Sequence, residues 1–154
     1  MEVKAAEMLR IIGRASESET FENAENRKEL MNKYYLTKDG IYLDCNIKTG
    51  EHSEILSAVS LYPYVFGVLN DKAGALKVLK RLELEYGLSA CEKRNDVFFQ
   101  WGYPCMWPAA TCLAYMGLKN IGLDKDASRI AEEYVSVIRK YLKKRVGCGK
   151  NTTH

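Results

Sequence analysis

Hydrophobic side chains recur every three or four residues along most of this chain, a spacing that places them on one face of an α-helix. The pattern predicts a helix over residues 2–13 that stops at Gly13, and a second helix that ends near Leu36. Ser16 and Glu19 fit a capping box at the start of the second helix, where side chains satisfy free backbone N–H groups. The first part of the chain is therefore predicted to be helical.

One stretch departs from the helical spacing. Residues 40–47 alternate apolar and polar side chains, and Thr49 and Gly50 then supply turn residues. Alternation with a period of two is typical of a strand with one buried face. The sequence predicts one short β-hairpin near residues 40–52.

Helical spacing resumes at residues 54–69. Pro63 interrupts this stretch, and because proline lacks a backbone N–H it predicts a break or a new helix start near Tyr62. Asp71 is the predicted cap of the next helix, which is expected to end at Gly87. The residues that follow, up to Phe99, show no regular pattern.

Two further helices are predicted in the last third of the chain. Pro108 suits the first turn of a helix that runs to Gly122, and Asp124 is the predicted cap of the last helix. Helices paired by short connectors predict a mainly all-α fold of stacked α-hairpins, because each hairpin hides its apolar face only against a neighbour. We expect a single helical domain over residues 1–146 and a flexible tail over residues 147–154.

Composition narrows the function classes. The chain has 154 residues, of which 47% are hydrophobic and 28% charged, as in an ordinary globular domain. A net charge of +3 with dispersed basic residues argues against nucleic-acid binding. No apolar window predicts a membrane span, and no secretory signal opens the chain. The five cysteines have no paired spacing, so we expect free thiols in the cytoplasm, no metal site and no cofactor.

Residues 99–108, here called the aromatic loop, hold most of the candidate chemistry. This loop contains four aromatic rings, one glutamine and two prolines, and it runs directly into a predicted helix. Aromatic rings beside hydrogen-bonding groups suit a sugar, which has apolar C–H faces and a rim of hydroxyls. The same composition also fits a plug of the hydrophobic core, and local composition leaves both interpretations open.

The run Gln100-Trp101-Gly102-Tyr103-Pro104, followed by Trp107-Pro108, resembles a signature of the trehalase family of glycoside hydrolases. The segments 39–44 and 61–64 are similar to other segments of that family, so the likeness spans about residues 20–142. It implies part of a six-hairpin α/α toroid that hydrolyses α,α-trehalose or a related α-glucoside with inversion. It also implies a sugar subsite in which a tryptophan stacks on a pyranose face and the glutamine binds hydroxyls. The residues carried over to this subsite are Gln100, Trp101, Tyr103 and Trp107.

The two catalytic carboxylates of the family have no counterpart in this sequence. The family's general acid lies in a Gly-Trp-Asp segment and its general base in a Glu-Lys-Tyr segment, and the chain contains neither. Asp44, Glu92 and Asp96 are available acids, but their positions predict solvated turn or loop residues. The catalytic residues are therefore unassigned.

The resemblance implies a truncated form that is inactive alone and binds a small carbohydrate. A homo-oligomer is expected to cover the helix faces that an incomplete toroid exposes. Two alternatives remain open: a non-catalytic carbohydrate-binding module and a helical interaction module.

Overall fold

The computed structural model describes the backbone of residues 18–92 and 102–148, and the side chains of residues 23–92 and 102–144. The helix predicted over residues 2–13 and the capping box at Ser16 lie outside these residues. The fold is mainly helical, as predicted.

The described chain begins with helix α1, Ser18–Tyr35, which ends where the sequence predicted. A short 3₁₀-helix, Ala58–Leu61, continues directly into the one-turn helix α2, Tyr62–Val65. Pro63 lies in the first turn of α2, which confirms the helix start predicted near Tyr62. Proline fits there because its missing N–H has no partner in a first turn.

Helix α3, Lys72–Leu82, begins as predicted, because the Asp71 side chain accepts a hydrogen bond from the Ala73 N–H at 2.9 Å. The helix ends five residues before the predicted Gly87. Glu83 adopts an extended conformation and starts strand β1, Glu83–Leu84, which pairs with the antiparallel strand β2, Gly87–Leu88. Gly87 has a φ of +118°, which favours glycine, and this turn replaces the last predicted helical turn.

The last two helices are α4, Pro108–Asn120, and α5, Asp124–Cys148. Gly122 turns the chain between them with a φ of +72°. Asp124 is the first residue of α5, and its carboxylate accepts a hydrogen bond from Lys119, which lowers the pKa of Asp124. Helix α5 runs one residue beyond Gly147, where the tail was predicted to begin.

The hairpin predicted near residues 40–52 contains one isolated bridge, and a second bridge closes a separate turn just before it. Leu36 pairs with Tyr42 and Cys45 pairs with His52, both antiparallel. Further backbone hydrogen bonds join residues 44 and 46 to residues 53 and 51. The chain therefore reverses direction as predicted, but the regular two-stranded pairing lies in β1 and β2.

One hydrophobic core joins these elements. Asn120 reaches back to α2, where its side-chain amide donates to the Val65 carbonyl at 3.0 Å. Gly117 allows α4 to approach the 3₁₀-helix and α2 closely, because an added Cβ would lie 3.1 Å from both the Leu61 carbonyl oxygen and the Tyr64 Cβ. The largest fully buried apolar side chains lie between residues 56 and 130: Leu56, Leu61, Tyr64, Val78, Leu79, Leu82, Leu88, Leu118 and Ile130.

Helix α3 also packs against the turn that precedes the bridged segment. A Cβ built on Gly74 would lie only 2.2 Å from the carbonyl oxygen of Gly40. The Lys77 ammonium donates a hydrogen bond to the Asp39 carbonyl at 2.7 Å in the same contact. Gly74 is thus required by close packing rather than by its own backbone conformation.

We predict that Gly74→Ala lowers the free energy of unfolding by about 1–2 kcal/mol, because the clash with backbone outweighs the better helix propensity of alanine. Urea denaturation followed by circular dichroism measures the change. Lys80→Ala on the exposed face of α3 is the matched control and should stay within about 0.5 kcal/mol of the parent. A Gly74→Ala variant as stable as the parent would contradict this packing.

Candidate functional site

The described part of the aromatic loop, residues 102–107, leads into α4 with a fixed geometry. Trp107 is extended (φ −116°, ψ 122°) and immediately precedes Pro108, the first residue of the helix. The Trp107 carbonyl accepts hydrogen bonds from the backbone N–H of Thr111 at 3.1 Å and from its hydroxyl at 3.4 Å. The predicted helix start at Pro108 is therefore confirmed, and it fixes the backbone that carries the Trp107 ring.

The other end of this loop is a tight turn. The Tyr103–Pro104 peptide is cis, and the Cys105 N–H donates to the Gly102 carbonyl at 2.8 Å. The Tyr86 hydroxyl donates to the Pro104 carbonyl at 2.9 Å. Burial raises the pKa of Tyr86, with smaller contributions from Tyr103 and Cys105, so its phenol stays protonated as a donor. Sequence analysis missed Tyr86 because no local pattern links it to the loop.

A bridging segment, residues 89–92, connects the aromatic loop to the start of the 3₁₀-helix. On one side the Ala90 N–H donates to the Cys105 carbonyl at 2.7 Å, and Ser89 pairs with Met106. On the other side the Ala58 N–H donates to the Ala90 carbonyl at 3.0 Å. The starts of the 3₁₀-helix and of α4 consequently lie at the same edge of the molecule.

Glu92 closes this bridging segment. Its backbone N–H donates to the Leu56 carbonyl at 3.0 Å, and its carboxylate accepts the Leu56 N–H at 3.1 Å. Arg81 of α3 holds the same carboxylate with two hydrogen bonds, of 2.6 and 2.7 Å. Only 13% of the Glu92 side chain is exposed. A partly buried ion pair of this kind contributes more to the free energy of unfolding than an exposed ion pair does, because solvent screens its charges less.

The structure corrects one interpretation of the three candidate acids. Glu92 was expected to be solvated, but it is paired with Arg81 because its position beside Leu56 draws the carboxylate against the fold. Asp44 is exposed, as expected, and Asp96 lies outside the described residues.

Two of the four residues predicted to line a sugar subsite are described. Both are partly buried, Tyr103 within the turn and Trp107 directly before α4. Trp107 also packs against the hydrophobic core. Gln100 and Trp101 lie outside the described residues. The Tyr103 and Trp107 side chains therefore each pack against the fold and keep part of their surface exposed.

Two concave regions lie on a neighbouring part of the surface. One has a volume of about 320 Å³ and is lined in part by Ser57, which pairs with Cys91 of the bridging segment. The other is a shallower depression of about 370 Å³ around Asp44 and His52. Neither is lined by Tyr103 or Trp107.

A second group of charged side chains joins β1 to α5. Arg129 donates to Glu83 at 2.6 and 3.0 Å and to Asp126 at 2.6 Å. Burial raises the pKa of the nearby Glu133, and the Glu83 carboxylate raises it further. Within residues 23–92 and 102–144, no three potential metal-ligating side chains cluster. No helix in the described part of the chain has the length and apolarity to cross a membrane.

The mainly helical fold is of the α/α toroid type, as its likeness to a solved structure shows, and comparison with known proteins identifies the family. The family model described as Trehalase matches residues 1–149. The chain therefore belongs to the trehalase family of glycoside hydrolases.

Curated relatives and a solved structure agree with this assignment. A probable trehalase of Eremothecium gossypii and a cytosolic neutral trehalase of Neurospora crassa are each 31% identical over 128 residues, which is 76% of this chain and 17% of each relative. The structure of neutral trehalase Nth1 from Saccharomyces cerevisiae matches with a TM-score of 0.75 and 26% identity, over 84% of this chain and 26% of that one. This chain thus spans about a sixth of the length of the two curated relatives.

We predict that Glu92→Ala lowers the free energy of unfolding by about 2 kcal/mol, because it removes a paired acceptor and leaves the Leu56 N–H without its carboxylate. Urea denaturation monitored by circular dichroism measures this change. Glu85→Ala, an exposed carboxylate in the turn between β1 and β2, is the matched control and should change stability by less than about 0.5 kcal/mol. Equal effects of the two substitutions would show that Glu92 is only a surface acid.

Proposed function

We propose that this chain forms part of the carbohydrate-binding wall of a trehalase-type glycoside hydrolase, with the aromatic loop as a subsite for trehalose or a related α-glucoside. The observation that carries the proposal is the attachment of this loop to the start of α4 and to the bridging segment, in a chain that belongs to the trehalase family. Gln100, Trp101, Tyr103 and Trp107 are the proposed lining.

The contacts that hold residues 102–107 of the loop support sugar binding. A pyranose offers an apolar face that an aromatic ring covers, and its hydroxyls need donors and acceptors at fixed positions. Trp107 is held by its own carbonyl bonds to Thr111, and the Tyr103 turn is held by Tyr86. A loop fixed in this way loses little conformational entropy when a sugar binds.

The proposed reaction is hydrolysis with inversion, for which a general acid and a general base flank the glycosidic bond about 6.5–9.5 Å apart. The carboxylate nearest the aromatic loop along the bridging segment is Glu92, and Arg81 and the Leu56 N–H already occupy it. We propose that this chain binds sugar but does not supply the acid and base, and that it acts catalytically only with further protein that contains them.

A non-catalytic carbohydrate-binding module is the second candidate. The hydrogen bonds of Glu92 to the Leu56 N–H and to Arg81 favour this second candidate. Because these bonds engage the Glu92 carboxylate within the fold, the described part of the aromatic loop offers a sugar rings and hydroxyls but no catalytic acid from the bridging segment.

Several features of organisation belong to the same proposal. We propose one helical domain over residues 1–146. We also propose a location in the cytosol, because the Neurospora crassa relative is named a cytosolic neutral trehalase. A relative from Xanthomonas oryzae is named a periplasmic trehalase. Self-association is supported by exposed apolar side chains on α5, which are Val135, Ile138, Tyr141 and Leu142. Neither a nucleic acid nor a membrane is a proposed partner.

Trehalose should change the intrinsic tryptophan fluorescence of the chain, because both tryptophans of the sequence lie in the aromatic loop. We expect a saturable change at millimolar trehalose and none with equal concentrations of sorbitol. Trp101→Phe and Trp107→Phe should each weaken the response, whereas Tyr115→Phe on the exposed face of α4 should leave it unchanged. A flat titration to high millimolar trehalose in a folded chain would contradict the subsite.

Purified chain should release no glucose from trehalose or from aryl α-glucosides beyond the buffer rate, because loss of an acid or base costs a factor of about 10²–10⁴ in rate. A coupled glucose assay measures release, with a full-length trehalase as the positive control. Steady release that scales with the concentration of this chain would contradict the proposal that the acid and base lie elsewhere, without bearing on sugar binding.

A further inference from the structure

The 320 Å³ cavity is separate from the aromatic loop and has a distinct chemistry. It lies between α1, residues 42–44 and residues 55–66. Its walls contain four aromatic rings, from Tyr35, Tyr42, Tyr62 and Phe66. A volume of this size is at the lower end of the range for small-molecule sites.

Hydrogen bonds to neighbouring groups hold one wall of the cavity in place. Only 5% of Tyr42 is exposed, and its hydroxyl donates to the Asn32 side chain. The Ser60 hydroxyl donates to the Tyr42 carbonyl at 2.5 Å. Burial raises the pKa of Tyr42 to about 12 and also raises the pKa of Tyr62, so both rings are neutral phenols at physiological pH. The polar atoms of this wall are largely used within the fold.

Negative charge lies at the mouth of the cavity. Asp44 lines both the cavity and the neighbouring depression, where Glu51 is a second carboxylate. Asp44 is exposed, and no lysine, arginine or histidine forms an ion pair with it within the described residues. No lysine or arginine lines either concave region.

We propose that this cavity binds a small organic cation, a quaternary or protonated amine whose charged group lies against the rings of Tyr35, Tyr62 and Phe66 and faces the carboxylate of Asp44. An aromatic face attracts a cation within about 6 Å of the ring centre through the ring quadrupole. The carboxylate adds a charge of the opposite sign on the open side. The site lies outside the loop proposed for sugar, so the two proposals stand or fall separately.

Other ligand classes fit the cavity less well. An anion would meet Asp44 and Glu51 without a compensating cation from the lining. A sugar needs many hydrogen bonds, but the Tyr42 and Ser60 hydroxyls already donate within the fold. A neutral apolar molecule would pack against the rings but would gain no attraction from the carboxylate. The difference in affinity between a cation and a neutral molecule of the same shape therefore tests the proposal.

Choline and its uncharged isostere 3,3-dimethylbutan-1-ol are the two probes. Methyl resonances of Met31 and Ile55, which line the cavity, report binding locally in ¹H–¹³C spectra of the full chain. We expect saturable shifts with choline and an affinity for the alcohol lower by about two- to fivefold, the range expected for one cation–π contact. Equal or tighter binding of the alcohol would overturn the proposal, because the cavity would then be merely apolar.

Variants separate the carboxylate from the rings. Asp44→Asn should weaken choline binding by about two- to fivefold, the range for an exposed ion pair, and leave the alcohol unaffected. Asp39→Asn, an exposed aspartate that does not line the cavity, is the matched control and should change neither affinity.

Tyr62→Leu tests the aromatic wall and should reduce choline affinity to a similar extent. If this variant is unfolded by circular dichroism, Asp44→Asn still decides the outcome, because Asp44 is exposed and holds no described side-chain partner. Choline binding that is unchanged by Asp44→Asn would overturn the proposal, as would an absence of shifts at Met31 and Ile55.

Discussion

Main-chain hydrogen bonds from residues 89–92 hold this structure together at the edge where the 3₁₀-helix and α4 begin. They join the Ala58 N–H and the Leu56 carbonyl on one side to the Cys105 carbonyl on the other. A buried backbone group without a partner costs about as much as a lost hydrogen bond, so the three segments are fixed as one unit. The start of α4 and the start of the 3₁₀-helix take their relative positions from this unit.

Glu92 and Tyr86 extend the same unit to the side chains. Glu92 links it to α3 through Arg81, and Tyr86 links the turn after β1 to the aromatic loop. The loop is thereby supported from several elements, as a preorganised binding surface requires. Ser57, which pairs with Cys91 of this unit, also lines the cavity beside Asp44. One framework thus supports both the loop that we propose binds sugar and a separate cavity.

The helix starts could be predicted from the sequence, because each is determined by a residue at or next to the start itself. Pro108, Asp71 and the break at Pro63 each act through their own backbone or side chain, and the helix starts lie where they were expected. The strands after Leu82, the pairing of Glu92 with Arg81 and the aromatic cavity could not be predicted in the same way. These contacts join residues far apart in sequence, such as Leu56 and Glu92, and no local spacing records them. The same reason explains why Glu92 was taken for a solvated acid.

Amide hydrogen exchange tests the central role of residues 89–92 most directly. The N–H groups of Ala58, Ala90 and Glu92 donate to backbone carbonyls of neighbouring segments, whereas the Ile47 N–H lies in an exposed turn and has no such interaction between segments. We expect these three amides to exchange as slowly as the amides of core helix α3, and Ile47 to exchange quickly. If Ala58, Ala90 and Glu92 exchange as fast as Ile47 while α3 remains protected, the three segments are not one unit, and the account is wrong.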